Sequence, residues 1–196
     1  MNLTRRRLDR RLFVSQFRQR IPQALVIAGL GSSAYDLFAA GDCARNYYLW
    51  GAMGGAVPMG LGLALARPDE SVVVITGDGE QLMGIGSLAS VAAQAPRNLT
   101  IVVLDNGHFG ETGMQPSHSS LGADLTGVAR ALGIADALGV DDIAQIGPLA
   151  DRVSARAGVV FAQVFIEAAE VPKALPPRDG AYLRDRFRAE LGLSPF

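Results

Sequence analysis

Apolar residues in this chain come in short unbroken blocks separated by segments of helical spacing. The clearest block is 71–76, Ser-Val-Val-Val-Ile-Thr, β-branched in its middle and bounded by turn residues. It predicts a strand buried on both faces. Residues 24–28, 99–104 and 159–166 have the same character. Between them, 54–66 is rich in Gly and Ala and predicts a helix that packs close to a sheet, ended by Pro68-Asp69-Glu70. A helix is predicted over 80–95, stopped by Pro96-Arg97-Asn98, and others over 125–132, 143–157 and 182–191. Pro172, Pro176 and Pro177 make the approach to the last helix extended. At the N-terminus, Leu8, Leu12, Phe13 and Phe17 recur at helical spacing and predict a helix with one buried stripe.

Strand, helix and strand between 71 and 104 form a βαβ unit. Strands that are apolar throughout imply a parallel sheet covered on both faces. The expectation is one three-layer, doubly wound α/β domain over 1–196, with no repeat and no linker.

Composition narrows the class. Apolar residues are 49% and charged residues 19% of the 196, the balance of a globular enzyme and too apolar for a disordered chain. A net charge of −1 provides no field for nucleic acid or a membrane surface. No apolar run approaches the ~20 residues of a membrane span. The single cysteine, Cys43, excludes an internal disulfide framework and suits a cytoplasmic protein; it is expected to be buried and inert. The stretch Arg5-Arg6-Arg7 to Arg10-Arg11 shares the arginine richness of a transit peptide, but Asp9 and the apolar spacing favour the helix.

Candidate chemistry sits where two adjacent predicted strands end. Gly77-Asp78-Gly79 follows one and Asp105-Asn106-Gly107 the other. In a parallel sheet both lie at the carboxyl edge, where open α/β folds bind ligands. Neighbouring strands are ~4.8 Å apart, so the Asp78 carboxylate and the Asn106 carbonyl can reach one cation. Oxygen-only ligands at an incomplete site suit Mg²⁺. Glycine at 77 and 79 lets backbone approach a ligand, and a helix starting at Glu80 offers N–H groups to a diphosphate. Gly-Asp-Gly alone is a common turn; the paired strand ends add a site without naming a cofactor.

The motifs together do resemble a known family. Gly77-Asp78-Gly79, 26 residues and then Asn106 is similar to the metal and diphosphate signature of thiamine-diphosphate enzymes. Trp50-Gly51-Ala52-Met53-Gly54 resembles the segment that precedes it in that family, and Gly29-Leu30-Gly31-Ser32-Ser33 resembles an earlier diphosphate loop. Leu104 to Gly107, with Gly110-Glu111-Thr112-Gly113-Met114-Gln115, is similar to the β chains of sulfopyruvate decarboxylases and the C-terminal halves of phosphonopyruvate decarboxylases.

The resemblance implies thiamine diphosphate and Mg²⁺ as cofactors, and roles for individual residues. Asp78, Asn106 and the backbone carbonyl of His108 would hold the metal. Gly31, Ser32, Gly77, Gly79, Glu80, Gly110, Glu111 and Thr112 would surround the diphosphate. The Gly51 carbonyl would accept from the cofactor's 4′-amino group, and Met53 would hold it bent. Ala52 stands where the family has serine, and Glu80 where a small residue is common, so the Glu80 carboxylate is expected to turn outward. The activity implied is decarboxylation of a 2-oxo acid with a second acidic or polar group. The family's activating glutamate lies in a pyrimidine-binding domain for which 196 residues leave no length. A separate α-type chain is therefore implied, in an α2β2 or larger hetero-oligomer. A carboligase or a 2-oxo-acid oxidoreductase subunit would use the same half-site, and a scaffold subunit would retain only the fold.

The remaining polar residues divide between site and surface. His108 and His118 can line the pocket or be solvated, and Glu111, Thr112 and Gln115 can orient a substrate, with Thr112 expected as a helix cap. Arg45 could meet an acidic partner, while Tyr47, Tyr48 and Trp50 are expected at a subunit interface. Arg178, Arg184, Arg186 and Arg188 are expected on a solvated helix face.

Overall fold

The computed structural model describes residues 6–194. In chain order the strands are β1 Leu25–Ala28, β2 Asn46–Tyr48, β3 Val72–Gly77, β4 Leu99–Asp105, β5 His108–Phe109, β6 Gln115–Pro116, β7 Asp136–Val140 and β8 Val160–Phe165. The helices are α1 Arg10–Arg20, α2 Ser32–Ala39, α3 Ala56–Ala66, α4 Asp78–Met83, α5 Ser87–Gln94, α6 Leu125–Ala131, α7 Ile146–Ala155 and α8 Gly180–Glu190. Six strands make one parallel sheet in the order β2-β1-β3-β4-β8-β7, and β5 and β6 form a small antiparallel pair.

Alternation of side chains along each strand divides the core into two layers. Val26, Val73, Ile75, Val102 and Val164 meet α1, α2 and α7 on one face. Leu25, Ile27, Val74, Ile101 and Phe161 meet α3, α5 and α6 on the other. The doubly wound three-layer expectation is therefore met. The α3 layer comes closest at Gly60, where an added Cβ would stand 2.3 Å from a Val74 methyl. Among the described residues no helix is long and apolar enough to cross a membrane.

Several local expectations are corrected. The N-terminal helix begins at Arg10, because Asp9 accepts a hydrogen bond from the Leu12 N–H and caps it. Its buried face is Phe13, Val14 and Phe17; Leu12 is 50% exposed. Leu8 precedes the helix and bridges to Ile166 just beyond β8. Arg5 lies outside the described residues. The edge strands β2 and β7 carry no run of apolar residues and went unrecognised as strands; pairing with β1 and β8 orders them. The 143–157 segment starts as a 3₁₀ turn, Ile143–Gln145, closed by a capping box from Asp142.

The 80–95 helix is in fact two, α4 and α5, broken at 84–86. A Cβ on Gly84 would lie 2.6 Å from the Gly54 carbonyl oxygen. Backbone meets backbone there, so the chain turns instead of continuing as one helix.

Tyr48 is 1% exposed and donates to Asp42, and Tyr47 packs edge-on against Phe187 at 5.6 Å. The Trp50 indole N–H donates to the Pro177 carbonyl at 2.7 Å, with Arg178 5.2 Å from its ring centroid. Tyr47 and Trp50 thus bind the chain's own C-terminal segment, and Tyr48 is buried inside the domain. Arg186 is not solvated either: it pairs with Asp42 at 2.6 Å and donates to the Asn46 carbonyl, protecting the β2 edge. Arg45 pairs with Glu70 and Glu190. Cys43 is half-buried, its Sγ 3.2 Å from an Arg18 nitrogen.

Candidate functional site

Register at the centre of the sheet sets the site. Gly77 of β3 lies opposite Leu104 of β4, so Asp78 leaves one strand end and Asn106 the next. Both open into a cleft that is also lined by Ser32, Met53, His108, Gly110, Glu111 and Thr112. Gly77 faces open space, with no atom within 4 Å of where a Cβ would stand. Gly79 differs from expectation: Phe109 ring carbons occupy its Cβ position at 2.6 Å. That glycine makes room for an aromatic ring. Gly31 has φ +70 and caps α2 with no side-chain hydrogen bond, leaving the first N–H groups of that eight-residue helix open beside Ser32 and Ser33. The helix after Gly77 is only six residues long, a weaker dipole than the sequence suggests. Gly51, at φ +80, and the adjoining Ala52, at φ +53, form an exposed left-handed turn that carries Met53, 42% exposed, at the cleft mouth.

Asp78 is 2% exposed. Its Oδ2 accepts from the hydroxyls of Ser117 and Ser119, the latter at 3.0 Å. Ser119 also lies 2.7 Å from Asp105 Oδ1, while Gln163 donates to Asp105 Oδ2 at 2.6 Å and Thr126 donates to Gln163 at 2.8 Å. Burial pushes the Asp78 carboxyl above its ordinary range; the Ser117 hydrogen bond works against this and the Asp105 charge adds to it. No cationic side chain pairs with Asp78 among the described residues. A buried carboxylate with hydroxyl partners and no counter-charge fits a divalent cation.

Asn106 Oδ1 accepts from the His108 N–H at 2.8 Å, and His108 Nδ1 lies 2.9 Å from the Asn106 carbonyl. A carbonyl can only accept, so Nδ1 donates to it and Nε2 is the ring nitrogen left free of that contact. In the β5–β6 pair His108 faces Pro116, which has no N–H. The ladder therefore brings no donor from that residue to the His108 carbonyl. The side-chain oxygens of Asp78 and Asn106, on one cleft wall with His108, are of the type that suits a hard cation.

Glu80 contradicts the outward orientation expected of it. It is 5% exposed, and its Oε2 accepts from Thr76 at 2.8 Å and the Leu30 N–H at 3.2 Å. It ties the β3 end to the loop after β1, and Gly29 is required where it passes: a Cβ there would fall 2.0 Å from Oε2. Thr112 caps no helix; it and Gln115 satisfy each other across a turn, at 3.0 and 2.8 Å. Glu111 pairs with Lys173 at 3.2 Å. His118 packs edge-on to Phe109 at 6.3 Å.

Sequence reasoning missed Ser117, Ser119 and Gln163, and it named Asp105 only as part of the strand-end turn, without a role. The serines act over separations of 39 and 41 residues, and their only local signal is the polar run Ser117-His118-Ser119-Ser120. Ser119→Ala is expected to weaken Mg²⁺ binding roughly 10-fold, the usual scale for a residue supporting a metal ligand. Mn²⁺ titration followed by electron paramagnetic resonance checks it, and an unchanged affinity would contradict it.

Residues 31–164 match the family described as "Thiamine pyrophosphate enzyme, C-terminal TPP binding domain". The chain is 36% identical over 167 residues to the sulfopyruvate decarboxylase subunit beta of Methanothermobacter thermautotrophicus, covering 85% of this chain and 86% of that one. It is 38% identical over 177 residues to the phosphonopyruvate decarboxylase of Streptomyces viridochromogenes, covering 88% of this chain but only 43% of that one. The fold is shared with benzoylformate decarboxylase from Polynucleobacter necessarius, with a TM-score of 0.69 at 20% identity over 84% of this chain and 34% of that one. The chain belongs to the thiamine pyrophosphate enzyme family, whose C-terminal TPP-binding domain it carries.

Proposed function

We propose that this chain is the β-type, diphosphate-binding subunit of a thiamine-diphosphate and Mg²⁺-dependent 2-oxo-acid decarboxylase. The observation that carries the reading is Asp78, buried with no cationic side chain paired to it among the described residues, and followed by Asn106 at the adjacent strand end, over a cleft that Gly77 leaves open. The relative matched over 86% of its length is itself named a subunit beta, which supports a separate partner. Asp78, Asn106 and the His108 carbonyl would hold the metal. Ser32, Gly77, Gly79, Gly110, Glu111 and Thr112 would surround the diphosphate, with Glu80 bracing the loop at Gly29 and Leu30. Gly51 and Met53 would hold the cofactor bent.

When bound, the cofactor supplies the electron sink for loss of CO₂. The chain's residues hold and orient it, and Met53 with Phe109 keeps water from the mouth. His108, its Nδ1 held by the Asn106 carbonyl at the cleft wall, is placed to meet substrate through Nε2. The names of the relatives support a 2-oxo acid with a second acidic group as substrate, such as a sulfonate or phosphonate. The activating glutamate belongs to the pyrimidine-binding partner in a cytoplasmic hetero-oligomer. Four of this chain's glutamates have partners of their own: Glu70 and Glu190 with Arg45, Glu80 with Thr76, and Glu111 with Lys173.

The test is reconstitution. The chain co-expressed with its partner should release CO₂ from sulfopyruvate or phosphonopyruvate, and the chain alone should release none. Turnover by a homogeneous preparation of the chain alone would refute the two-subunit reading, and a reconstituted pair that binds thiamine diphosphate but decarboxylates no 2-oxo acid would refute the activity.

A further inference from the structure

Arg10 opens α1 at the carboxyl edge of the sheet, where the preceding residues run beside β8. It lies outside residues 31–164, the part that the family profile matches. It is nevertheless the one lysine or arginine among the described residues lining the cleft of Asp78, Asn106 and Ser32.

Arg10 is 9% exposed. Its Nε lies 3.2 Å from Asp36 Oδ2 but lacks hydrogen-bond geometry. Asp36 is fully buried, and its other oxygen already takes Arg11 at 3.0 Å. Asp36 is thus shared by two guanidiniums, and it is the one carboxylate within ion-pair distance of Arg10 among the described residues. Asp36 holds only the Nε edge of Arg10, and no protein hydrogen bond to the Arg10 guanidinium is found among the described residues. The buried Nε–H lacks an acceptor, and the rest of the fork, which lines the cleft without a protein acceptor among the described residues, is free to donate to an oxyanion there.

The walls that Arg10 shares identify the anion. A recess continuous with the cleft is lined by Arg10, Ser32, Asn106, Gly110 and Glu111, on the side of Tyr35 and Lys173. Met53 lines the cleft too, but it also borders an apolar recess with Leu82, Met83 and Phe109 that Arg10 does not line. Arg10 is therefore at the end of the cleft where the metal ligands and the α2 start converge, away from the mouth. Asp78, Glu80 and Glu111 also line this cleft, so a bound polyphosphate needs positive charge beyond that of one divalent cation.

We propose that Arg10 is a ligand of the cofactor's diphosphate, with Asp36 as the residue that aims it. This rests on the thiamine-diphosphate reading above. The measurement is calorimetry with Mg²⁺ on the reconstituted pair, titrating thiamine diphosphate, inorganic pyrophosphate and unphosphorylated thiamine. Arg10→Met should weaken thiamine diphosphate and pyrophosphate about 10- to 100-fold and leave thiamine unchanged. Arg10→Lys should recover part of the loss, since an ammonium keeps the charge without the fork. Asp36→Asn should weaken the diphosphate ligands less, with little further loss in the Arg10→Met background. The proposal is overturned if Arg10→Met binds thiamine diphosphate like the wild type. It is equally overturned if thiamine is weakened to the same extent, or if only the KM for an anionic 2-oxo acid rises, which would place the anion on the substrate. Should Arg10→Met not fold, Arg10→Lys carries the same comparison. Wild-type protein without Mg²⁺-dependent cofactor binding would instead defeat the underlying reading.

Discussion

Asp78→Asn is expected to lower Mg²⁺-dependent thiamine-diphosphate affinity by about 100-fold or more while leaving the melting temperature of the cofactor-free protein unchanged or higher. The two effects separate because the carboxylate's charge and its shape have different jobs. Asparagine keeps an oxygen for the Ser117 and Ser119 hydroxyls, so the buried hydrogen bonds survive. It removes a charge that is only 2% exposed, faces the Asp105 charge and pairs with no cationic side chain among the described residues. In the apo protein that charge is a burden; with a divalent cation it is the one anionic ligand of the proposed set, and hard cations depend on such ligands. Calorimetry with and without Mg²⁺, beside thermal melts, checks both halves. Undiminished metal-dependent binding would remove Asp78 from the site.

Gly84→Val is expected to destabilise the fold by about 2–4 kcal/mol, a melting-temperature drop of roughly 5–15 °C for a domain of this size. The Cβ would stand 2.6 Å from the Gly54 carbonyl oxygen and 2.8 Å from its Cα. Both obstacles are backbone, so no rotamer change relieves the clash. Gly54 has φ +83, a conformation that favours glycine, and cannot easily move aside. Met53 is its immediate neighbour, so whatever gap opens between the two chain segments displaces the cleft mouth as well. Cofactor affinity should fall with stability. Gly86→Ala is the control: φ there is −62 and nothing lies within 4 Å of the new methyl, so a change within about 0.5 kcal/mol is expected. Equal melting of Gly84→Val and wild type would show that the contact is not tight.

The same glycine pair shows where local patterning stops being informative. Residues 80–95 read as one helix because their composition and spacing are helical and Pro96 supplies the stop. What divides them is Gly54, thirty positions away from Gly84 in the chain, brought alongside by packing of the segment before α3. The edge strands follow the same logic. Asn46–Tyr48 and Asp136–Val140 lack the apolar run of a doubly covered strand because each has a neighbour on one side only. Glu80 was expected to turn outward on charge grounds alone. Thr76 and the Leu30 N–H, which become its neighbours only after β1 and β3 pair, make the inward orientation the hydrogen-bonded one.

Several features were determined by the amino-acid sequence itself. The central strands announce themselves by unbroken β-branched runs, and their ends place Asp78 and Asn106 on one edge because parallel strands share a direction. Family membership likewise needs only linear order, from Gly31 through Asp78 to Asn106. The tertiary structure alone decided how those residues are supported and charged. Ser117 and Ser119 reach Asp78, Gln163 reaches Asp105, and Asp36 receives both Arg10 and Arg11. Each contact joins residues 25 to 58 positions apart, and single polar residues leave no periodic trace in sequence. The physical reason is that repeated apolar positions report a burial pattern within a segment, whereas a buried hydrogen bond or ion pair depends on sheet register and loop closure, which exist only in the folded chain.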